Sequence, residues 1–227
     1  MEDRDRFALA LDVDDLVVAT RLARQLKPYF GVAKVGLELY TANGPDAVIA
    51  MIELGYHVFL DLKMLDIPTT VNKAARVAGA LGPSFLTMHA FGGVDMLQAG
   101  VEGLMAGAEA AGLPKPMGLG VTVLTSDGGA PPHILGDRVK IAQAAGCGGF
   151  VCSAADVREA KQLAPDMLAV VPGIRAAGAD ANDQATPATP AQAFEAGADL
   201  LVVGRTVTAA DDPVKAAAAL MSSGKPQ

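Results

Sequence analysis

Asp61-Leu62-Lys63-Met64-Leu65-Asp66-Ile67-Pro68-Thr69-Thr70 reads Asp-x-Lys-x-x-Asp-Ile-Pro-x-Thr and follows a strand-like run, His57-Val58-Phe59-Leu60. Side chains two apart on a strand share a face, so Asp61 and Lys63 point one way and Leu60 and Leu62 the other. An acid and a base side by side at a strand end, with a second acid (Asp66) three residues on, form a charged array with little structural use. Such an array can hold a proton, repel a carboxylate or orient a sugar.

Other residues fit beside it. Lys34 lies inside Val32-Ala33-Lys34-Val35-Gly36, an otherwise apolar run. A lysine there is costly unless a carboxylate pairs with it, either as a structural ion pair or as part of the array. Asp12 ends the first apolar run and reads equally as a turn residue or a site residue. His89 closes Thr87-Met88-His89, as a structural or a ligand-touching histidine, and His133 falls in a Pro-rich stretch that reads as solvated. Three scattered histidines make no ligand cluster, so no metal site is expected.

Two late segments suit phosphate. Pro172-Gly173-Ile174-Arg175 and Val203-Gly204-Arg205 each follow a β-rich run. Gly204 allows close backbone approach, and Arg205 can grip a phosphate with two N–H groups. Between them, residues 176–189 lack clear periodicity and read as a lid, with Gln184 its one long amide.

These residues need a scaffold that brings strand ends together. Apolar runs at 7–12, 32–37, 57–63, 85–89, 117–124, 149–152, 168–171 and 200–204 read as strands buried on both faces. Amphipathic stretches at 15–26, 45–54, 70–80, 94–110, 134–145, 154–163, 190–195 and 213–221 read as helices. Asp14 is a candidate cap for the first, and Gly55, Gly146 and Gly197 are candidate C-terminal caps. Eight strand–helix units predict an α/β fold, a (β/α)8 TIM barrel over 1–227 as a single domain. An open doubly wound sheet is the rival, but no Gly-x-Gly-x-x-Gly follows the first strand. In a barrel, polar strand ends face the catalytic mouth. These are Asp12, Lys34, Asp61, Lys63, His89, Thr122, Thr125, Ser126, Ser153, Arg175 and Arg205. His57 starts its strand and belongs to the opposite face.

Composition narrows the function. The chain has 227 residues, 51% hydrophobic and 19% charged, which supports a large core and argues against disorder. Aromatics are 4% with no Trp, and the net charge is −7, which disfavours nucleic-acid binding. Cys147 and Cys152 match no zinc or redox spacing and read as reduced core residues of a cytoplasmic protein. The charged N-terminus reads as neither signal peptide nor anchor, and no apolar run is long enough to span a bilayer.

Taken together, Ala10-Leu11-Asp12, Lys34-Val35-Gly36, the decapeptide from Asp61 to Thr70, His89-Ala90, Val121-Thr122-Val123-Leu124-Thr125-Ser126, Pro172-Gly173-Ile174-Arg175, Asp183-Gln184 and Val203-Gly204-Arg205 resemble orotidine 5′-phosphate decarboxylase of the bacterial type. Ala185-Thr186-Pro187 departs from the family pattern, in which a basic residue often stands nearby. The resemblance implies conversion of orotidine 5′-phosphate to uridine 5′-phosphate with no cofactor and no metal. It implies Lys63 as proton donor to the ring carbanion, with Asp61, Asp66 and Lys34 completing the catalytic group. Asp12 and Lys34 would hold the ribose, and Thr125 and Ser126 the pyrimidine amide edge, with Pro172 beside the ring. Gln184, Gly204 and Arg205 would take the phosphate, and Arg175 would anchor the lid or phosphate side. It further implies a homodimer in which Asp66, Ile67 and Thr70 reach the partner's site. Two rivals stay open: a sugar-phosphate decarboxylase or aldolase-like synthase that recruits Mg²⁺, and a non-catalytic nucleotide-binding protein.

Overall fold

Strand pairing runs in chain order and returns to its start. A computed structural model describes residues 3–124, 131, 133–175 and 188–224. Its strands are β1 (Phe7–Ala10), β2 (Val32–Gly36), β3 (His57–Met64), β4 (Phe85–His89), β5 (Met117–Val121), β6 (Gly149–Val151), β7 (Leu168–Val171) and β8 (Leu200–Val203). All neighbouring pairs are parallel, and β8 pairs with β1, closing the barrel and excluding the open-sheet alternative. Around it lie α1 (Leu16–Leu26), α2 (Leu37–Asn43), α3 (Pro45–Glu53), α4 (Pro68–Gly79), α5 (Gly93–Ala110), α6 (His133–Ala144), α7 (Val157–Leu163), α8 (Pro190–Glu195), α9 (Arg205–Thr208) and α10 (Pro213–Ser223).

The two-residue period of each strand splits the core into two layers. Ala8, Ala10, Val32, Phe59, Leu119, Val170, Leu200 and Val202 fill the barrel interior. Their alternates, among them Leu9, Ala33, Val35, Val58 and Leu60, face the helices. Continuing the inward rows upward leads from Val32 to Lys34, from Phe59 to Asp61 and from Ala10 to Asp12. The apolar floor thus ends where the charged residues begin.

Several boundaries differ from the sequence reading. Asp15, not Asp14, caps α1, its carboxylate accepting from Val17 N–H at 2.7 Å and Val18 N–H at 3.0 Å. Leu37 opens the unforeseen short helix α2 instead of ending β2. Helix α7 begins at Val157 because Ser153 and Asp156 form a local turn, the Ser153 hydroxyl donating to Asp156 at 2.7 Å. His133 begins α6 and is exposed. Among the described residues, no helix is long and apolar enough to cross a membrane.

Helices α4 and α5 pack backbone to backbone. A Cβ on Gly79 would collide with the Leu104 carbonyl oxygen, one on Gly103 with that of Asn72, and one on Gly107 with that of Arg76. The Asn72 amide also donates to the Ala99 carbonyl at 2.7 Å. This close approach fixes α4, whose N-terminus directly follows Asp66 and Ile67. Gly103→Ala should therefore lower stability by about 1–3 kcal/mol, the usual cost of overpacking. Denaturant unfolding measures this, and unchanged stability would mean that the helices can part without cost.

Candidate active site

At the C-terminal end of the barrel, four charged groups alternate in sign. Lys34 Nζ lies 2.9 Å from Asp12 Oδ1 and 3.8 Å from Asp61 Oδ2. Lys63 Nζ lies 2.9 Å from Asp61 Oδ1 and 2.8 Å from Oδ2. The side chains of Lys34 and Asp61 are only 11% and 12% exposed, so the barrel interior holds two nearly buried charges that are stable only as neighbours. Lys63 is more open, at 35%. Gly36 leaves room for this packing, since a Cβ there would sit 3.0 Å from Lys34 Nζ and 3.3 Å from Asp12 Oδ1.

Simple strand alternation foresaw the Asp61–Lys63 contact but not how it is made. Leu60 pairs with Leu86 and Met64 with Met88, so three residues of β3 stand against Thr87 alone. Within this bulge Lys63 adopts φ 49°, and it is the one positive-φ non-glycine among the described residues. Its N–H donates to Thr87 Oγ1 at 2.9 Å, and that hydroxyl donates to Asp61 Oδ1 at 2.9 Å.

The charged group forms one sector of a cavity of about 230 Å³. The β1–β3 ends carry Asp12, Lys34, Asp61 and Lys63. Across the barrel, Val121, Val123, Leu124 and Val151 form an apolar wall. The third sector, after β7 and β8, carries Pro172, Gly173, Arg175, Gly204 and Arg205. Arg175 is buried. Its Nη1 donates to the Ile174 carbonyl at 3.1 Å, and its Nε has no hydrogen-bond partner among the described residues. The cavity thus offers a charged rim, a flat apolar side and a basic, glycine-lined end, a combination suited to one small amphipathic anion.

Three polar strand ends read as facing the mouth are used within the scaffold. Thr122 donates its hydroxyl to the Val151 carbonyl at 2.8 Å, and Ser153 belongs to the turn before α7. His89 accepts from the Phe91 N–H through Nδ1 at 3.3 Å. Burial, then Arg138 and Lys63, hold its pKa below the ordinary value. His57 lies at the barrel's opposite end, as expected. Asp66, Ile67 and Thr70 are exposed on the loop and first turn before and within α4, outside this cavity. The Asp66 carboxylate accepts from its own neighbour, the Ile67 N–H, at 2.6 Å. Thr125, Ser126 and Gln184 lie outside the described residues. Among those described, no group of three or more His, Cys, Asp or Glu side chains converges as a metal-ligand set. The sequence reading missed Thr87, whose signal was available only as an inward β4 position two residues before His89.

A family model described as Orotidine 5'-phosphate decarboxylase / HUMPS family matches residues 5–220. The chain belongs to this family. An orotidine 5′-phosphate decarboxylase from Anaeromyxobacter sp. (strain K) is 46% identical over 231 residues, covering 97% of this chain and 98% of that protein. One from Moorella thermoacetica is 43% identical over 97% of this chain and 92% of its own length. The crystal structure of orotidine 5′-phosphate decarboxylase from Lactobacillus acidophilus superposes with a TM-score of 0.82 at 34% identity, covering 98% of this chain and all of that one. An uncharacterised conserved protein from Geobacillus kaustophilus gives the same TM-score at 32% identity, over 96% of this chain and all of its own. The family and barrel read from the decapeptide and the strand ends are therefore correct.

Both cysteines are buried structural residues, as their spacing implied, although Cys152 also lies against the cavity wall. Burial pushes the Cys147 thiol up to about 12 from an ordinary 9.0, and Cys152 is raised further by burial and by Asp156. Unfolded thiols ionise above pH 9.0 while native Cys147 keeps its proton, so native stability should fall as pH rises from 9.0 toward 12. Native protein at pH 8 should leave both thiols unreactive to an aromatic disulfide reagent, and denaturant should release both. Rapid native labelling would contradict the buried placement.

Proposed function

We propose that this carboxy-lyase converts orotidine 5′-phosphate to uridine 5′-phosphate in de novo pyrimidine biosynthesis, in the cytoplasm, without metal or organic cofactor, using Lys63 to protonate the ring carbanion. The Asp61–Lys63 contact inside the cavity carries the reading. The C–C bond to the substrate's ring carboxylate breaks, CO₂ leaves, and the electron pair stays on the ring carbon. A fixed ammonium beside that carbon stabilises the growing charge and then supplies the proton, which is the work a cofactor would otherwise do.

Asp61 has a second effect. A carboxylate placed about 4 Å from it, at an effective dielectric near 20, is repelled by about 4 kcal/mol. A tenfold rate change takes about 1.4 kcal/mol, so repulsion supplies about three decades. A ring with no internal electron sink needs far more, and stabilisation by preorganised Lys63 carries the larger part. Asp12 and Lys34 would take the ribose hydroxyls, and Thr125 and Ser126 the pyrimidine amide edge. Pro172 and the apolar wall would pack against the ring. Gln184, Gly204, Arg205 and Arg175, whose buried Nε has no partner among the described residues, would hold the phosphate side. The whole chain, 1–227, would act as one domain.

A homodimer fits the same reading. Leu65, Ile67 and Phe91 are 50%, 67% and 70% exposed, and Leu65 lies against Gly92 beside Phe91, an apolar surface next to the site. Asp66, Ile67 and Thr70 would cross it into the partner's cavity, where Asp66 would flank the partner's Lys63 on the side away from Asp61.

The decisive assay follows the fall in ultraviolet absorbance of orotidine 5′-phosphate with EDTA present. Wild-type turnover should be unaffected by the chelator, and Lys63→Ala should lose at least about 10³-fold in kcat while keeping its fold. Metal-dependent turnover would favour an Mg²⁺-recruiting synthase, and nucleotide binding without turnover a non-catalytic binder. For the shared site, Lys63→Ala and Asp66→Ala subunits should each be inactive alone. Mixed and re-equilibrated, they should regain about a quarter of wild-type activity, because half the dimers then carry one intact site. No recovery on mixing would refute the shared site.

A further inference from the structure

We infer that Thr87 is a positioning residue of the reaction, holding Asp61 and Lys63 in their reactive arrangement. This rests on the reading of Lys63 as the proton donor. Thr87 is fully buried in β4 on an inward row, two residues after the interior-facing Phe85. One hydroxyl bridges both reactive groups, as donor to Asp61 Oδ1 at 2.9 Å and acceptor from Lys63 N–H at 2.9 Å. A threonine hydroxyl has one hydrogen to give and lone pairs to receive, so both bonds form at once.

The bulge makes this bridge necessary. Between the Leu60–Leu86 and Met64–Met88 pairings, residues 61, 62 and 63 oppose Thr87 alone. The bulge takes the Lys63 N–H out of the regular ladder, and the left-handed backbone at Lys63 is one a side-chain-bearing residue seldom adopts without outside support. Thr87 Oγ1 provides that support and at the same time fixes which way the Asp61 carboxylate turns. With Asp61 held, both its oxygens meet Lys63 Nζ. Thr87 does not line the cavity, so it acts through these two residues and not on the ligand. Its β-branch restricts χ1, which keeps the hydroxyl aimed at the bulge.

The test compares Thr87→Val, which keeps shape and loses the hydroxyl, with Thr87→Ser, which keeps the hydroxyl and loses the methyl. Thr87→Val should lose about 10- to 100-fold in kcat, the factor set by one hydrogen bond to a charged group. Its affinity for uridine 5′-phosphate should stay within about threefold, because ground-state binding contacts are untouched. Thr87→Ser should restore kcat to within about threefold of wild type. Thr87→Ala carries the same expectation as Thr87→Val if the latter does not fold. A kcat for Thr87→Val or Thr87→Ala near wild type, or a Thr87→Ser as impaired as Thr87→Val, overturns the inference. Lys63→Ala, run alongside, separates the two claims. If it is inactive while Thr87→Val is normal, only the positioning role fails. If it stays active, the proton-donor reading fails first.

Discussion

Asp61 is a carboxylate that two ammonium groups share inside a barrel, and the site depends on that sharing. Its Oδ2 lies 2.8 Å from Lys63 Nζ and 3.8 Å from Lys34 Nζ, and Lys34 also holds Asp12. Charges this poorly exposed must alternate in sign, because removing one member of a buried pair leaves its partner uncompensated at about 3–5 kcal/mol. The same constraint explains smaller features nearby. Gly36 stays small because the Lys34–Asp12 pair occupies the space a side chain would need. The floor of Ala10, Val32 and Phe59 keeps the array dry from below, which strengthens each electrostatic contact.

The barrel divides the ligand's chemistry among its strands. The ends of β1 to β3 carry charge, those of β5 and β6 are apolar, and those of β7 and β8 carry glycine and arginine. A mononucleotide has this same distribution, with a reacting polar ring edge and ribose, a flat face and a terminal phosphate. Eight parallel strands place these sectors at one mouth because every strand ends on the same side. Outside the mouth, the backbone-close packing of α4 on α5 sets where the Asp66–Ile67 segment leaves β3. The packing that holds these two helices together thus also fixes the start of the segment that carries Asp66 and Ile67.

Much of this was legible in the sequence. The apolar runs located all eight strands because strands buried on both faces read as continuous aliphatic segments. Asp61, Lys63, Lys34 and Asp12 stood out because charge inside such runs needs a partner, and the structure supplies one to each. Less was legible at segment ends. Asp14 and Asp15 are equally good caps by type, and only backbone geometry selects Asp15. Thr122 and Ser153 had the polarity and strand-end position of site residues, yet their hydroxyls are committed to the Val151 carbonyl and to Asp156.

The sequence by itself determined the repeating strand–helix unit, the charged decapeptide and the family, since these are matters of residue type and spacing along the chain. Only the tertiary structure decided that Asp61 joins Lys34 to Lys63, that Lys63 sits on a bulge, and that Thr87 bridges it to Asp61. The cross-strand contacts among these join residues 24 to 27 positions apart, and a bulge is defined by the neighbouring strand's register, which no local pattern records.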